Sequence, residues 1–591
     1  MDNRALIRAF RLMAQLLELH DENPFKVRAY EGAAAAVDRL DVPLADLDPS
    51  EFTTTGGLGK SAAQAAQALL STGTFPELDR LQRATPPGVV DMLNIKGIGP
   101  KKIRALWREL GIESVDALRE AAEQNRVSAL KGFGAKTQDA ILAALEFTAQ
   151  SRGKVLINQG QELGRQLVEL LQQGLRTEQV AVAGEVRRAL PVVETVRVVV
   201  GTNQPWQAHE ILAGIDGLAA DEAASGPFAW RGTATQSGVK VEVQLAKPED
   251  FIGCLFLQTG AEAHLTAPLP AKAPAPTLRR LVRTTRFFSE QAIYETAGLQ
   301  YVEPEMREGQ GEIEEAAAGK LPTLLTEQDL RGSLHNHSTY SDGAHSLRQM
   351  AEFLRDHGYQ YLGICDHSRA AHYAGGLSIE RVREQHREIE QLNRELGPFR
   401  IFKGIESDIL ADGSLDYPDE VLAEFDFIVA SVHSGLKMDQ ERATERLLRA
   451  IQNPYCTMLG HPTGRLLLRR EGYPIDYEAV IDACAEHQVA IEINANPWRL
   501  DIDWQWVRRC MEKGVRMSIN PDAHHTDGYA DMAYGVLQGR KGGLTAAMTL
   551  NALTVGELDE YFRQRREKAV KFGSPKGGGG KKATDYGPLF G

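Results

Sequence analysis

Apolar positions recur along the chain in three different rhythms, and each predicts a different kind of element. Over residues 1–150 they fall at helical spacing, in runs such as NRALIRAFRLMAQLLELH and SAAQAAQALLSTG, broken by glycine-containing turns. Over 155–300, helical runs mix with the β-rich runs VAVAGEV, TVRVVVGT and GVKVEVQLA, which predict a small α/β domain. From 331 to 560, the short apolar runs YLGICDH, FRIFKGIES, FDFIVASVH, VAIEINAN and RMSIN alternate with helical stretches. That alternation predicts βα units around a parallel sheet or barrel, a fold that collects functional side chains at the C-terminal ends of its strands. The segments divide the chain into two helical regions (1–85 and 86–150), an α/β domain (151–302), a connecting stretch (303–330), the βα region (331–572) and a Gly/Lys-rich tail (573–591) predicted to be flexible.

Composition narrows the picture. A chain of 591 residues is long for a single domain, and 43% hydrophobic with 25% charged residues is ordinary for packed cores, which excludes wholesale disorder. No uninterrupted apolar window of about 18 residues occurs, and the N-terminus lacks the features of a signal peptide, so a cytoplasmic protein with no membrane partner is expected. Five cysteines without a C-x-x-C pair exclude a disulfide framework and a thiolate zinc knuckle.

A net charge of -13 opposes a nucleic-acid partner at first sight. The distribution changes that. Residues 303–330 carry eight acids against Arg307 and Lys320, and are predicted to be an acidic linker. Residues 1–150 hold 18 Lys and Arg against 20 Asp and Glu, a balance that leaves room for basic patches and so for DNA.

Three segments of the N-terminal region repeat a Gly-apolar-Gly turn: GGLGKS with Gly57, Gly59 and Lys60; IKGIGPKK with Gly97, Gly99, Lys101 and Lys102; and LKGFGAKT with Gly132, Gly134 and Lys136. Such a turn opens a helix with its backbone N–H groups converging where the helix dipole favours an anion, and a lysine follows each time. A sequence-independent grip on DNA phosphates by helix-hairpin-helix motifs is the prediction, with a purely structural αα-hairpin as the alternative.

These hairpins, together with ENPFKVRAYEGAA at 22–34, resemble the N-terminal regions of bacterial family X DNA polymerases. The resemblance implies a lyase-like domain over 1–85, a fingers-like region over 86–150, and gapped, nicked or 3′-ended DNA as the partner. Animal members use a lysine in the helix after the first hairpin for Schiff-base chemistry. The matching helix, SAAQAAQALL, has no lysine after Lys60, so that lyase reaction is not expected.

Nucleotidyl transfer needs two Mg2+ ions held by clustered carboxylates. The family motif falls on GEVRRALPVVETVRVVV, residues 184–200, where Arg187 and Arg188 match but Thr195 and Arg197 occupy the two aspartate positions and Glu185 the serine. Only Glu242 keeps a carboxylate at the third position. A threonine and a cation cannot hold two divalent ions, so the 151–302 domain is predicted to be a palm and thumb with little or no polymerase activity and no firm Mg2+ site. Glu185 and Glu194 are the nearest alternative acids, but their spacing does not match. Arg197 could instead make the old centre a DNA-binding surface.

Histidine is uneven: twelve of fifteen lie between 331 and 540. His335 and His337 alternate in LHNHSTYSDG, so on an extended segment both face one side. Asp342, His367, Glu406, His433, His461, Asp522 and His524 follow, at or just beyond the ends of apolar runs. These motifs resemble the PHP (polymerase and histidinol phosphatase) superfamily over nearly all of 331–560, and the whole chain resembles bacterial family X polymerase with a fused PHP domain. The resemblance implies a distorted (β/α)7 barrel and a three-metal site. His335, His337, Glu406 and Asp522 would hold one ion, Glu406, His433 and His461 a second, and Asp342, His367 and His524 a third.

Mixed imidazole and carboxylate ligands suit Mn2+ or Zn2+, or Fe2+, better than Mg2+ alone. Ions bridged by Glu406 would lower the pKa of a shared water for attack on phosphorus. Glu406, His337, Asp522 and Arg465 are the residues expected to carry catalysis, Arg465 through a phosphate contact, with Asp366 orienting a ligand or water. The expected function is a DNA-repair nuclease with 3′-5′ exonuclease activity and cleavage at abasic sites. A gap-filling polymerase with PHP proofreading, a small-molecule phosphomonoesterase and a non-catalytic DNA scaffold are the alternatives. The protein is expected to be a monomer, and its GPLFG end resembles short Leu-Phe peptides that dock on sliding clamps.

Overall fold

The computed structural model describes residues 2–572 other than 41, 55, 56 and 96. The C-terminal tail, including the GPLFG end, lies outside the described residues. The chain divides into two compact units, Met1–Arg152 and Gly153–Gly591.

The first unit is helical. Asp2 caps Asn3–Leu19 by accepting from Ala5 N at 2.7 Å, and Asn23 caps Pro24–Asp38 by accepting from Phe25 N at 2.9 Å. Lys60–Thr72 buries Ala62, Ala63, Ala65, Ala66 and Leu69 and ends on left-handed Gly73. One continuous core runs from Leu6 through Phe10, Tyr30, Phe75 and Ile103 to Leu145. The boundary expected at 85/86 therefore does not separate two cores.

The second unit begins with an α/β layer. Its short strands β1 (Val155–Leu156) and β3 (Val192–Val193) pair with each other. A five-stranded sheet combines β2 (Val180–Ala183), β4 (Thr195–Gly201), β5 (Leu218–Ala220), β6 (Ala229–Ala234) and β7 (Lys240–Ala246) in the order β2-β4-β7-β6-β5. Only β4 and β7 are parallel, with Arg197 opposite Glu242. Val196, Val198 and Val200 of β4 share a core with Leu167 and Leu171 of the helix Ile157–Leu175. Val199, on the opposite face, packs with Phe251 and Leu255 of the helix Phe251–Thr259. Gly160 and Gly164 let the first helix approach, since a Cβ at either would lie 3.0 Å from a valine methyl.

The expectation of a linker over 303–330 is corrected by the structure. Arg307 is fully buried, ion-paired with Glu290 at 2.9 Å and set over the rings of Phe256, Tyr294 and Tyr301. Glu312 is buried against His264 at 2.7 Å, and the helix Glu312–Ala318 buries Ile313 and Ala316. Arg540 reaches Glu305 at 2.8 Å, while Lys541 pairs with Glu308 and Arg508 with Glu315. Several acids of this segment are thus ion-pair partners of cations far away in sequence, and the stretch folds with its neighbours.

The barrel follows: β8 (Gly332–Ser333), β9 (Tyr361–Ile364), β10 (Arg400–Asp408), β11 (Phe427–Ser431), β12 (Met458–Leu459), β13 (Ala490–Asn494) and β14 (Met517–Asn520), all parallel and in sequence order. A parallel bridge between Asn336 and Ala523 joins the two ends of the order, with His337 N donating to Ala523 O at 2.8 Å. The last helix among the described residues, Val555–Phe572, puts Leu558 and Phe562 into the core formed by Tyr361, Phe402, Phe427 and Met458. The α/β layer rests on the barrel: Leu500 joins its core, Gln538 Nε2 donates to Ala189 O and Lys541 Nζ to Arg188 O, both at 2.9 Å. No helix among the described residues is long and apolar enough to cross a membrane.

Candidate metal centre

Nine side chains meet at the C-terminal ends of the barrel strands. His335 and His337 flank Asn336, which turns away, donating to Gly363 O at 2.9 Å and accepting from Ser333 Oγ at 2.9 Å. The alternation of an extended segment therefore aims both imidazoles inward. His367 follows β9 and bridges to Glu406 of β10. His433 and His461 follow β11 and β12, and Asp522 and His524 follow β14. His461 and Asp522 have positive φ, 23° and 55°, strain that the surrounding ladder holds in place.

Glu406 lies at the centre. Its Oε1 is 2.9 Å from His461 Nε2, 3.1 Å from His433 Nε2 and 3.4 Å from His335 Nε2, and its Oε2 is 2.9 Å from His367 Nδ1 and 3.7 Å from His337 Nε2. Asp522 Oδ1 is 3.0 Å from His337 Nε2 and 3.7 Å from His335 Nε2. Asp342 Oδ1 is 3.3 Å from His524 Nε2 and 3.6 Å from His367 Nε2. Three sets have ligand atoms within 4.8 Å of one another: His337, Asp342, His367 and His524; His335, His337 and Asp522; His367, Glu406 and His433. Compared with the expected groups, His337 is added to the Asp342 set and His367 to the Glu406–His433 set, while Glu406 drops out of the His335 set and His461 out of the Glu406 set.

The donor set fits divalent cations. His335 Nε2, His337 Nδ1, His461 Nδ1 and Glu406 Oε2 are buried without a hydrogen-bond partner, an arrangement that is costly unless something accepts those lone pairs. Charge agrees. Burial alone would raise the Glu406 carboxyl, but His433, His335 and His367 hold it well below the usual carboxylate range. Asp342 is likewise drawn down to about 2 against the effect of its burial, chiefly by His524. Burial, with His524 and His367 nearby, lowers His337 to about 3, which keeps its ring neutral and able to ligate.

An outer ring, which sequence reasoning missed, orients these ligands. Glu492 is fully buried on β13, its Oε1 2.8 Å from His335 Nδ1 and 3.0 Å from Asn520 Nδ2, its Oε2 accepting from His461 N at 2.8 Å. Asp408 lies 2.5 Å from His433 Nδ1. Both leave the opposite ring nitrogen turned to the centre, the usual carboxylate–imidazole support of a metal ligand. The available signal was a single acid inside the apolar run VAIEINAN and another in KGIESDI. Asp366, expected to orient a ligand or water, accepts instead from Ser338 N and Ser341 N at 2.8 and 3.1 Å and from Gln385, fixing the loop that carries Asp342.

The Arg465 expectation is corrected. Its guanidinium donates to Arg499 O at 2.8 Å, to Asp503 at 2.6 Å and to Leu500 O, so each of its three nitrogens is tied to the loop 499–503. The loop it braces carries Arg499, whose Nε is 3.6 Å from Asp522 Oδ2 and which is the cation at the centre.

In the α/β layer, the residues expected at a polymerase centre form a closed ion pair. Arg197 Nε is 2.8 Å and Arg231 Nε 3.3 Å from Glu242, whose carboxyl lies below the ordinary range because these two hydrogen bonds and charges outweigh its burial. Thr195 is buried. Glu185 Oε2 accepts from Glu194 N at 2.6 Å and Thr195 N at 3.0 Å, so it is a backbone cap.

In the first unit all three glycine turns have one design. Gly57, Gly97 and Gly132 have φ of 64°, 86° and 88°, and Gly59, Gly99 and Gly134 each precede a helix, at Lys60, Pro100 and Ala135. Leu58, Ile98 and Phe133 between them are buried, leaving the glycines exposed. Lys60, Lys101 and Lys136 are exposed, Lys101 lying 3.7 Å from Glu18, while Lys102 sits over the Phe133 ring at 5.9 Å.

Family comparisons agree with this anatomy. Residues 1–75 match a helix-hairpin-helix domain, 89–146 a SAM-like helix-hairpin-helix tandem and 333–496 the PHP domain. Helix-hairpin-helix repeats ahead of a metal-ligating PHP barrel define the class. The DNA polymerase/3′-5′ exonuclease PolX of Bacillus subtilis is 34% identical over 572 residues, 95% of this chain and 100% of that protein. The chain therefore belongs to the bacterial PolX family, family X DNA polymerases with a PHP domain. Proteins named probable phosphatase match a shorter part of the chain. That of Thermoanaerobacter sp. (strain X514) is 28% identical over 251 residues, 40% of this chain and 95% of the relative, and that of Clostridium acetobutylicum 30% over 210 residues, 32% and 78%.

Proposed function

We propose that this protein is a DNA-repair nuclease whose PHP barrel hydrolyses phosphodiesters from 3′ ends, and at abasic sites, while its polymerase activity is weak or absent. The observation that carries the reading is the contrast between nine converging side chains, Glu406 among them, and the Arg197–Glu242 ion pair in the polymerase-like layer. Its location is the cytoplasm and it acts as a monomer. DNA is its partner, held through phosphates at Gly57, Gly59 and Lys60, at Gly97, Gly99, Lys101 and Lys102, and at Gly132, Gly134 and Lys136.

His335, His337, Asp342, His367, Glu406, His433, His461, Asp522 and His524 would hold up to three Mn2+ or Zn2+ ions, with Fe2+ the next choice. Such ions, when bound, supply Lewis acidity and a hydroxide-like water. The chain's own residues do the rest. Glu492 and Asp408 hold His335 and His433 with one nitrogen inward, Arg499 offers a cation to phosphate oxygens beside Asp522, and Arg465 keeps the Arg499 loop in place.

The test is digestion of 3′- and 5′-labelled DNA with added Mn2+ by the wild type and His337→Ala. Loss from the 3′ end by the wild type only is expected, and equal activity of the two proteins rejects the site. The names of the shorter relatives, probable phosphatases, favour a second reading, a phosphomonoesterase. Hydrolysis of a chromogenic monoester without any shortening of DNA would select it. Incorporation at a one-nucleotide gap tests the polymerase reading.

A further inference from the structure

A large aromatic side chain stands uncovered beside the metal centre. Tyr373 is 72% exposed, yet its ring centroid is 6.0 Å from that of His367 and 6.4 Å from that of His433. It rides on the short 3-10 turn His372–Ala374, between Ala371 and Ala374, which are both buried.

The turn is pinned to the same strand end that carries His367. Ala371 N donates to Ser368 O at 3.0 Å, Ala374 N to Ala371 O at 3.0 Å and Leu377 N to His367 O at 2.9 Å. Ala370 N donates to Asp416 at 2.6 Å. Gly376 has no room for a side chain, since a Cβ there would lie 2.0 Å from Ser368 O. The turn that carries the ring is thus anchored beside two of the centre's histidines while the ring itself stays largely exposed.

We infer that Tyr373 is the stacking platform for the terminal nucleobase of the strand being hydrolysed, a nucleobase subsite next to the phosphate-binding centre. One sugar separates a nucleotide's base from its phosphate, so a phosphate at the ligands brings the base within reach of this ring. An aromatic face accepts any base, which suits a nuclease without sequence preference. The ring also separates polynucleotide ends from small phosphomonoesters that have nothing to stack. The inference rests on the nuclease reading above.

The test compares wild type, Tyr373→Ala and Tyr373→Phe. In the first measurement an oligonucleotide with 2-aminopurine at its 3′ end is titrated with full-length protein and its fluorescence followed. Wild type and Y373F should quench the probe by stacking, and Y373A should not. In the second, digestion with Mn2+ is compared for a normal and an abasic 3′ terminus. Y373A should raise KM for the normal end by about tenfold with little change in kcat, and leave the abasic end unaffected. Quenching and digestion by Y373A that match the wild type reject the platform and keep the nuclease. Equal losses on both termini also reject it. Quenching that depends on Tyr373 in a protein that shortens no DNA keeps the subsite and rejects the nuclease.

Discussion

Two centres of this protein sit on neighbouring parallel strands, and they have opposite chemistry. On β4 and β7, Arg197 faces Glu242 across the register and Arg231 closes from the other side, so the carboxylate's charge is already satisfied. On the barrel, Glu406 is surrounded by imidazoles, whose lone pairs would be available to a cation. A strand register supplies proximity in both places. What the partner can give up decides whether proximity yields a metal site or a salt bridge.

The sharpest way to break this comparison is Glu406→Gln. It should reduce metal-dependent hydrolysis by more than the roughly 100-fold ceiling typical of outer-shell groups, measured as release of 3′ label. Retention of activity would remove Glu406 from the centre. Next, Glu492→Gln and Asp408→Asn should weaken metal affinity by about 10- to 100-fold, read by titrating apo-protein with Mn2+ and by the metal needed for half-maximal digestion. An unchanged titration would mean that the imidazoles need no such support.

The polymerase-like layer should respond in stability instead. Arg187 and Arg307 hold the Glu290 carboxyl at about 2, against the effect of its burial and below its ordinary 4.5. A carboxyl lowered by folding stabilises the protein fully above its unfolded pKa and loses that contribution as pH falls from about 4.5 towards 2. The shift corresponds to about 3 kcal/mol. Glu290→Gln should therefore be less stable than the wild type by that order at pH 7, with the gap shrinking below pH 4.5, as thermal melts at several pH values would show. A pH-independent gap would point to packing as the cause.

Smaller effects are expected at the DNA grip and the old centre. Lys60→Ala with Lys136→Ala should lower the slope of log affinity against log salt by about two for duplex DNA, with no sequence dependence. Arg197→Ala should cost at most about 1 kcal/mol of stability and leave 3′ digestion within about twofold, since its ion pair is partly exposed. A strong loss of digestion would make the old centre part of the nuclease.

Much of the fold and site was legible in the chain, for stated reasons. The strand runs, the alternation of His335 and His337, and the ligands at the ends of apolar segments depend on short-range geometry, so the letters alone show them. Strands β8 and β12 were not legible, because two residues each leave no pattern. Glu492 resembles a stray acid in an apolar run until the barrel closes and sets it against His335. Arg465 was expected at phosphate and Arg499 drew no attention, and only their loops decide that the first is structural and the second faces Asp522.

The acids of 303–330 show the same limit. Their number suggested a solvated connector, because their partners Arg508, Arg540 and Lys541 are nearly two hundred residues or more along the chain. The sequence by itself determined the inventory: which side chains can ligate, which turns need glycine, and which strand positions hold Thr195 and Arg197. Tertiary structure alone decided the pairings, because the energy of a charge depends on what lies within a few ångströms, and folding, not chain order, sets that distance.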